Sequence, residues 1–154
     1  MMAETGKKGF TLIEMLIVLI IIAVLAVVIL PRIMNARRRA KDEATRQTLV
    51  ELNKAVEEFE AEIGCYPTAL LDLFTRVGET YVGKGIAGTT VEDVTVVDSD
   101  NLWKGPYFKA SALPPVPLGT GSWTLITDTA MLLGKVKITG ITTKAVDGSN
   151  YTDW

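Results

Sequence analysis

A short stretch near the N-terminus holds residues whose types and spacing could do chemistry together: Lys7-Lys8, then Gly9-Phe10, then Glu14. Glu14 stands in an apolar run that continues from Met15 to Leu30 without a polar residue. A carboxylate within an apolar span costs on the order of 3 kcal/mol, less near a helix end, and is a functional candidate by default. Two readings are open: Glu14 sits among lipid headgroups and is solvated, or it is paired with a cation. Hydrolysis after the small residue Gly9 would remove the basic leader and create such a cation, the α-amino group of Phe10. In a packed assembly, Glu14 of one copy could then pair with the amine of a neighbour. In apolar surroundings such a pair is stronger than at a surface, although it must overcome desolvation. An ordinary secretory signal carries its small residue after the apolar segment. Here Gly9 precedes it, so cleavage would leave the whole apolar segment on the mature chain.

Little other chemistry is available. The 154 residues contain no histidine, which removes the commonest general base and most triads and imidazole metal sites. The single cysteine, Cys65, allows no intrachain disulfide. It reads either as a small buried apolar residue or as one half of an interchain disulfide. No glycine-rich phosphate loop and no Gly-x-Ser-x-Gly motif occurs. Composition does not exclude an acidic hydrolase, which needs only two carboxylates. The formal net charge of -2 gives no reason to expect nucleic-acid binding.

The elements that must position the N-terminal residues follow from hydropathy. Phe10 to Leu30 is about 21 residues, roughly 31 Å as a helix, and a bilayer core is about 30 Å thick. Pro31 should break or kink the helix at the end of that span. Beyond it, Leu49, Leu52, Val56, Phe59 and Ile63 follow three-four spacing and define one apolar stripe, while Glu51, Lys54, Glu57, Glu58, Glu60 and Glu62 occupy the other faces. Covering about two heptads, the stripe reads as a core face or, alternatively, as a coiled-coil seam. Gly64 and Pro67 terminate the helix. The chain therefore divides into a basic leader (residues 1–9), an apolar helix (10–30), an amphipathic half of the same discontinuous helix (31–63) and a small head (64–154). Arg32, Arg37, Arg38, Arg39 and Lys41 follow the span and read as a solvated helix face near Asp42 and Glu43, or as a contact with anionic headgroups. On basic counts alone these residues oppose a cytoplasmic N-terminus, which Lys7 and Lys8 favour.

In the head, Tyr66-Pro67-Thr68 followed by Leu70, Leu71, Leu73 and Phe74 reads as a turn and a short helix. The glycine- and threonine-rich residues 78–90 read as a loop, 91–97 as a strand, and Asp98-Ser-Asp-Asn101 as a turn. Residues 123–127 and 131–141 read as two strands joined near Asp128 and Thr129. The expected fold class is α+β: a long N-terminal helix whose amphipathic half packs on a small antiparallel sheet, burying both apolar surfaces.

Lys7-Lys8-Gly9-Phe10-Thr11-Leu12-Ile13-Glu14, followed by an apolar helix and Pro31, strongly resembles the precursors of type IV pilins and type II secretion pseudopilins. The resemblance covers about the first fifth of the chain. It implies cleavage between Gly9 and Phe10 by a prepilin peptidase, N-methylation of Phe10, and an assembly role for Glu14. Subunits would wait in the inner membrane, single-pass, with the N-terminus cytoplasmic and the head periplasmic. An ATPase-driven platform would then draw them into a filament with minor pseudopilins or pilins. Gly64-Cys-Tyr-Pro67, Leu102-Trp-Lys-Gly-Pro-Tyr-Phe108, Leu113-Pro114 and the ending Asp147-Gly-Ser-Asn-Tyr-Thr-Asp-Trp154 are similar to the major pseudopilin of type II secretion. In that family an acidic C-terminal loop binds calcium, which makes Asp147 and Asp153 the positions carried over as ligands; oxygen donors suit calcium. The stretch Pro114-Pro-Val-Pro-Leu-Gly119 departs from the family's aspartate- and tryptophan-containing turn, and a solvated polar tail is the alternative to a calcium site. The resemblance thus points to a non-enzymatic filament subunit, pseudopilus first and type IV pilus second. A membrane-anchored periplasmic binding or enzyme domain is the reading from a different class.

Overall fold

A computed structural model describes residues 9–75, 80–97, 102–110 and 112–154. Lys7 and Lys8 and the expected turn at 98–101 lie outside the described residues.

Helix α1 spans Leu12–Ile63, 52 residues, and runs unbroken through Pro31, where the sequence led us to expect a discontinuity. Its start is built by Thr11 and Glu14. The Thr11 hydroxyl accepts the Glu14 backbone N–H at 3.3 Å, and the Glu14 carboxylate accepts the Thr11 backbone N–H at 2.8 Å. This reciprocal capping box satisfies amides that the first turn leaves unbonded. At the other end Gly64 takes a φ of 86° and donates its N–H to the Glu60 carbonyl at 2.8 Å, the left-handed stop that glycine permits.

The chain divides into two compact units, Met1–Arg39 and Ala40–Trp154. In the second, the stripe proves to be a core face. Leu49, Leu52, Val56, Phe59 and Ile63 are buried, together with Leu73, Phe108, Trp123, Val136, Ile138 and Tyr151. Phe59 makes edge-to-face contacts with Tyr81 and Tyr107, with ring centroids 5.6 and 5.5 Å apart, a favoured aromatic geometry.

The sheet component is two antiparallel pairs. Strands β1 (Thr80–Ala87) and β2 (Thr90–Val97) form one hairpin, turning at Gly88 with a φ of 65°. Strands β3 (Ser122–Leu125) and β4 (Val136–Thr139) form the other, with Trp123 opposite Ile138. The α+β arrangement expected from the sequence is present. Two local expectations are corrected. Residues 80–87 are a strand, not a loop, because Gly83 and Gly85 serve close packing. A Cβ on Gly83 would lie 2.3 Å from the Cys65 sulfur, and one on Gly85 would lie 2.4 Å from a Val94 methyl carbon. Lys84 exchanges two backbone hydrogen bonds with Tyr66 there, at 2.8 and 2.9 Å. The strand expected over 131–141 is shorter. Ala130–Leu132 is a 3-10 turn, and Gly134 and Gly140, with φ of 76° and 80°, bracket β4.

Polar side chains tie these parts together. Asp72 accepts the Tyr81 hydroxyl at 2.6 Å and the Ala69 N–H at 3.0 Å, fixing the 3-10 turn Leu70–Leu73 beside β1. Asn53 accepts the Val136 N–H at 2.9 Å, which sets β4 against α1.

Candidate functional site

Residues 9–41 are all exposed, including every apolar side chain from Phe10 to Leu30. Among the described residues α1 is the one helix long and apolar enough to cross a membrane, and the apolar window has no buried share. Water does not stabilise an apolar surface of that size. A surface of this kind calls for an apolar covering.

At the head of this surface, Gly9 and Phe10 precede the helix, and Phe10 is 79% exposed. Their peptide bond is therefore outside the helical hydrogen-bond ladder, where a protease can bind it in extended form. Nothing lies within 4 Å of a Cβ built on Gly9, so the fold gives no steric reason for glycine there. Glu14 is one helical turn inside the span, and its carboxylate also accepts the Thr11 hydroxyl at 2.8 Å. The capping box was readable as Thr-x-x-Glu before an apolar run, and reading Glu14 only as a charge overlooks it. Cleavage after Gly9 would place an ammonium group at residue 10, four positions before Glu14.

The C-terminal residues form a separate cluster. Asp147 accepts the Arg46 guanidinium at 2.5 Å on one oxygen, and the Ser149 hydroxyl at 2.6 Å and backbone N–H at 2.9 Å on the other. The Ser149 hydrogen bonds, with Arg46 nearby, hold its carboxyl below the usual carboxylate range. Asp153 accepts Asn150 at 2.9 Å and the Thr152 hydroxyl at 3.2 Å. Among the described residues no group of three or more His, Cys, Asp or Glu is placed to hold a metal ion. As folded, the donor set does not fit a calcium cage: one Asp147 oxygen accepts from Arg46 and the other from Ser149, and the Asp153 oxygens accept from Asn150 and Thr152.

That cluster contains Arg46, which the sequence reading did not single out, and Asp42, which it set beside a solvated basic face and which is in fact buried. Arg46 lies over the Trp154 ring at 4.1 Å. Asp42, only 8% exposed, accepts the Tyr151 hydroxyl at 2.6 Å and the Val146 N–H at 2.8 Å. The available signal was position: Asp42 and Thr45 extend the stripe of Leu49 and Leu52 backwards at the same spacing, so a carboxylate on the core face required partners. Cys65 is a buried free thiol beneath Gly83, and burial pushes its pKa up.

Residues 5–30 match the family described as the prokaryotic N-terminal methylation motif. The chain is similar to the type IV wide pilus major component PilA4 of Thermus thermophilus, 44% identical over 61 residues, covering 40% of this chain and 47% of that protein. It is also similar to the type II secretion system core protein G of Escherichia coli, 32% identical over 68 residues, covering 44% of this chain and 47% of the relative. The core protein G of Klebsiella pneumoniae is 32% identical over 62 residues, covering 40% of this chain and 44% of that protein. The chain thus spans under half the length of the curated relatives it matches. No solved structure matches it.

Proposed function

We propose that this chain is a structural subunit of a type IV-like filament, most specifically the major pseudopilin of a type II secretion system, made as a precursor and stored in the inner membrane. One observation carries the reading: a single carboxylate, Glu14, stands four residues past an exposed Gly9-Phe10 bond at the start of an apolar helix whose described residues from 10 to 30 are all exposed. Hydrolysis of that bond adds water across it, leaving a carboxylate on Gly9 and an ammonium on Phe10. N-methylation of Phe10 keeps the amine basic. In the membrane Glu14 and the ammonium remain close to the headgroups. In a filament the amine of one subunit meets Glu14 of the next, and the apolar faces of residues 10–30 exchange lipid for one another. The head, residues 64–154, stays on the periplasmic side. The partners in this reading are other copies of the chain, a prepilin peptidase, an inner-membrane assembly platform and minor pseudopilins.

The higher identity to a pilus component than to the secretion proteins supports a second reading, a type IV pilin serving adhesion, motility or DNA uptake. Mass spectrometry of the mature chain tests the shared premise: it should begin at Phe10 and carry one added methyl group. A mature chain that retains Met1 in cells with an active prepilin peptidase would contradict it. Deletion of the gene separates the two filaments, since loss of folded exoprotein secretion marks the pseudopilus and loss of motility or surface fibres marks the pilus.

A further inference from the structure

We propose that Arg32, Arg37, Arg38 and Arg39 form a collar that binds the phosphate groups of anionic lipids at the membrane surface where the apolar run ends. This rests on the membrane-spanning reading of residues 10–30. From Pro31 to Ala40 there are four arginines and no acidic residue, and all ten positions are exposed.

The distribution of these charges around α1 points to lipid. At about 100° per residue, Arg32 and Arg39 share one side of the helix, while Arg37 and Arg38 lie roughly 140° and 240° from Arg32. Arg32, Asn35, Ala36 and Arg39 border an open groove on that shared side. A folded protein partner meets one face of a helix. A headgroup layer meets every face at one depth, which is what a ring of charge matches. The depth also agrees. Arg32 follows Leu30 by about 3 Å and Arg39 by about 14 Å along the axis, and long side chains reach back along the helix to place their heads in the interface. Guanidinium binds phosphate through paired donors.

A second copy could offer Glu51, Glu57 and Glu58 instead. Two of these already have cations, Glu57 with Lys135 at 2.8 Å and Glu58 with Lys54 at 3.4 Å, which leaves less acid to meet the arginines. The collar also occupies the side from which the insertion rule depletes basic residues. Holding anionic headgroups is a use for charge in that place.

The test is lipid selectivity of the full-length chain in phosphatidylcholine vesicles carrying trace spin-labelled phosphatidylglycerol or phosphatidylcholine. The readout is the fraction of each label motionally restricted by the protein. The wild type should prefer phosphatidylglycerol about fivefold at low salt, falling towards parity in high salt. The combined variant R32Q, R37Q, R38Q and R39Q should show no preference. Equal association of both lipids with the wild type, or a preference that survives the four substitutions, overturns the collar. A variant that keeps its lipid preference but no longer forms filaments assigns the arginines to contacts between copies, which also overturns it. Carbonate-resistant insertion into neutral vesicles, expected for both proteins, is read in parallel; its failure would remove the membrane span itself and is distinguishable from loss of selectivity.

Discussion

Glu14 has two uses for one carboxylate. It closes the capping box with Thr11, and it is the single acid in the apolar run. The two uses can be separated by chemistry. Glutamine at N3 still accepts the Thr11 N–H but carries no charge, whereas alanine does neither. Glu14→Gln should therefore preserve helix formation at residues 11–15 in detergent while reducing filament yield at least tenfold. Glu14→Ala should reduce both, the lost cap alone costing about 1 kcal/mol. Hydrogen exchange of the first turn and sheared-filament yield read the two effects, and normal filaments from the glutamine variant would remove the ion pair. Tyr107 offers a second residue-scale test. Its hydroxyl donates to Glu62 at 2.7 Å; burial first, and then that acceptor, push its pKa up from the ordinary 10.0 to about 12. The folded state holds this proton more tightly than the unfolded one. The associated stability is full below pH 10 and is lost as pH rises from there through 12. An alkaline unfolding titration should show that loss, and Tyr107→Phe should flatten it.

At the scale of elements, the amphipathic half of α1 was legible because its stripe repeats at the helical period, and Leu52, Val56 and Phe59 are fully buried as that spacing requires. Strand β1 was not legible. Its glycines mimic a loop in composition, and their real role, admitting Cys65 and Val94, exists only after distant segments meet. The C-terminal tail was half legible: its acids were visible, but Arg46, which pairs with Asp147, and Asp42, which accepts from Val146 and Tyr151, lie about a hundred residues earlier in the chain. The tail is consequently held to α1 by contacts of unequal strength. Asp42→Ala removes the acceptor of the buried Tyr151 hydroxyl and of the part-buried Val146 N–H, and should cost about 2 kcal/mol in urea unfolding. Arg46→Ala removes an exposed ion pair and the stacking on Trp154, and should have a smaller effect. Millimolar calcium should not move the unfolding temperature of either variant or of the wild type. A calcium-dependent rise would mean that Asp147 and Asp153 rearrange into the oxygen cage that the sequence resemblance implies.

For the whole molecule, the division of buried and exposed surface is sharper than the division of secondary structure. One helix runs from Leu12 to Ile63, yet no described residue before Asp42 is buried, and the compact units meet between Arg39 and Ala40. Every apolar side chain of the core cluster therefore belongs to the unit Ala40–Trp154. Residues 40–154 alone should then be a soluble, folded monomer with cooperative urea unfolding, and with Phe59 and Trp123 as protected from solvent as in the full chain. The same truncation should abolish insertion into vesicles and incorporation into filaments, because residues 10–30 supply the only described surface that demands lipid or a neighbour to cover it. Sedimentation, near-ultraviolet circular dichroism and co-expression with the full chain check the three outcomes. Aggregation of the truncated chain, or loss of its tertiary signal, would show that the head takes part of its stability from the membrane half of the helix.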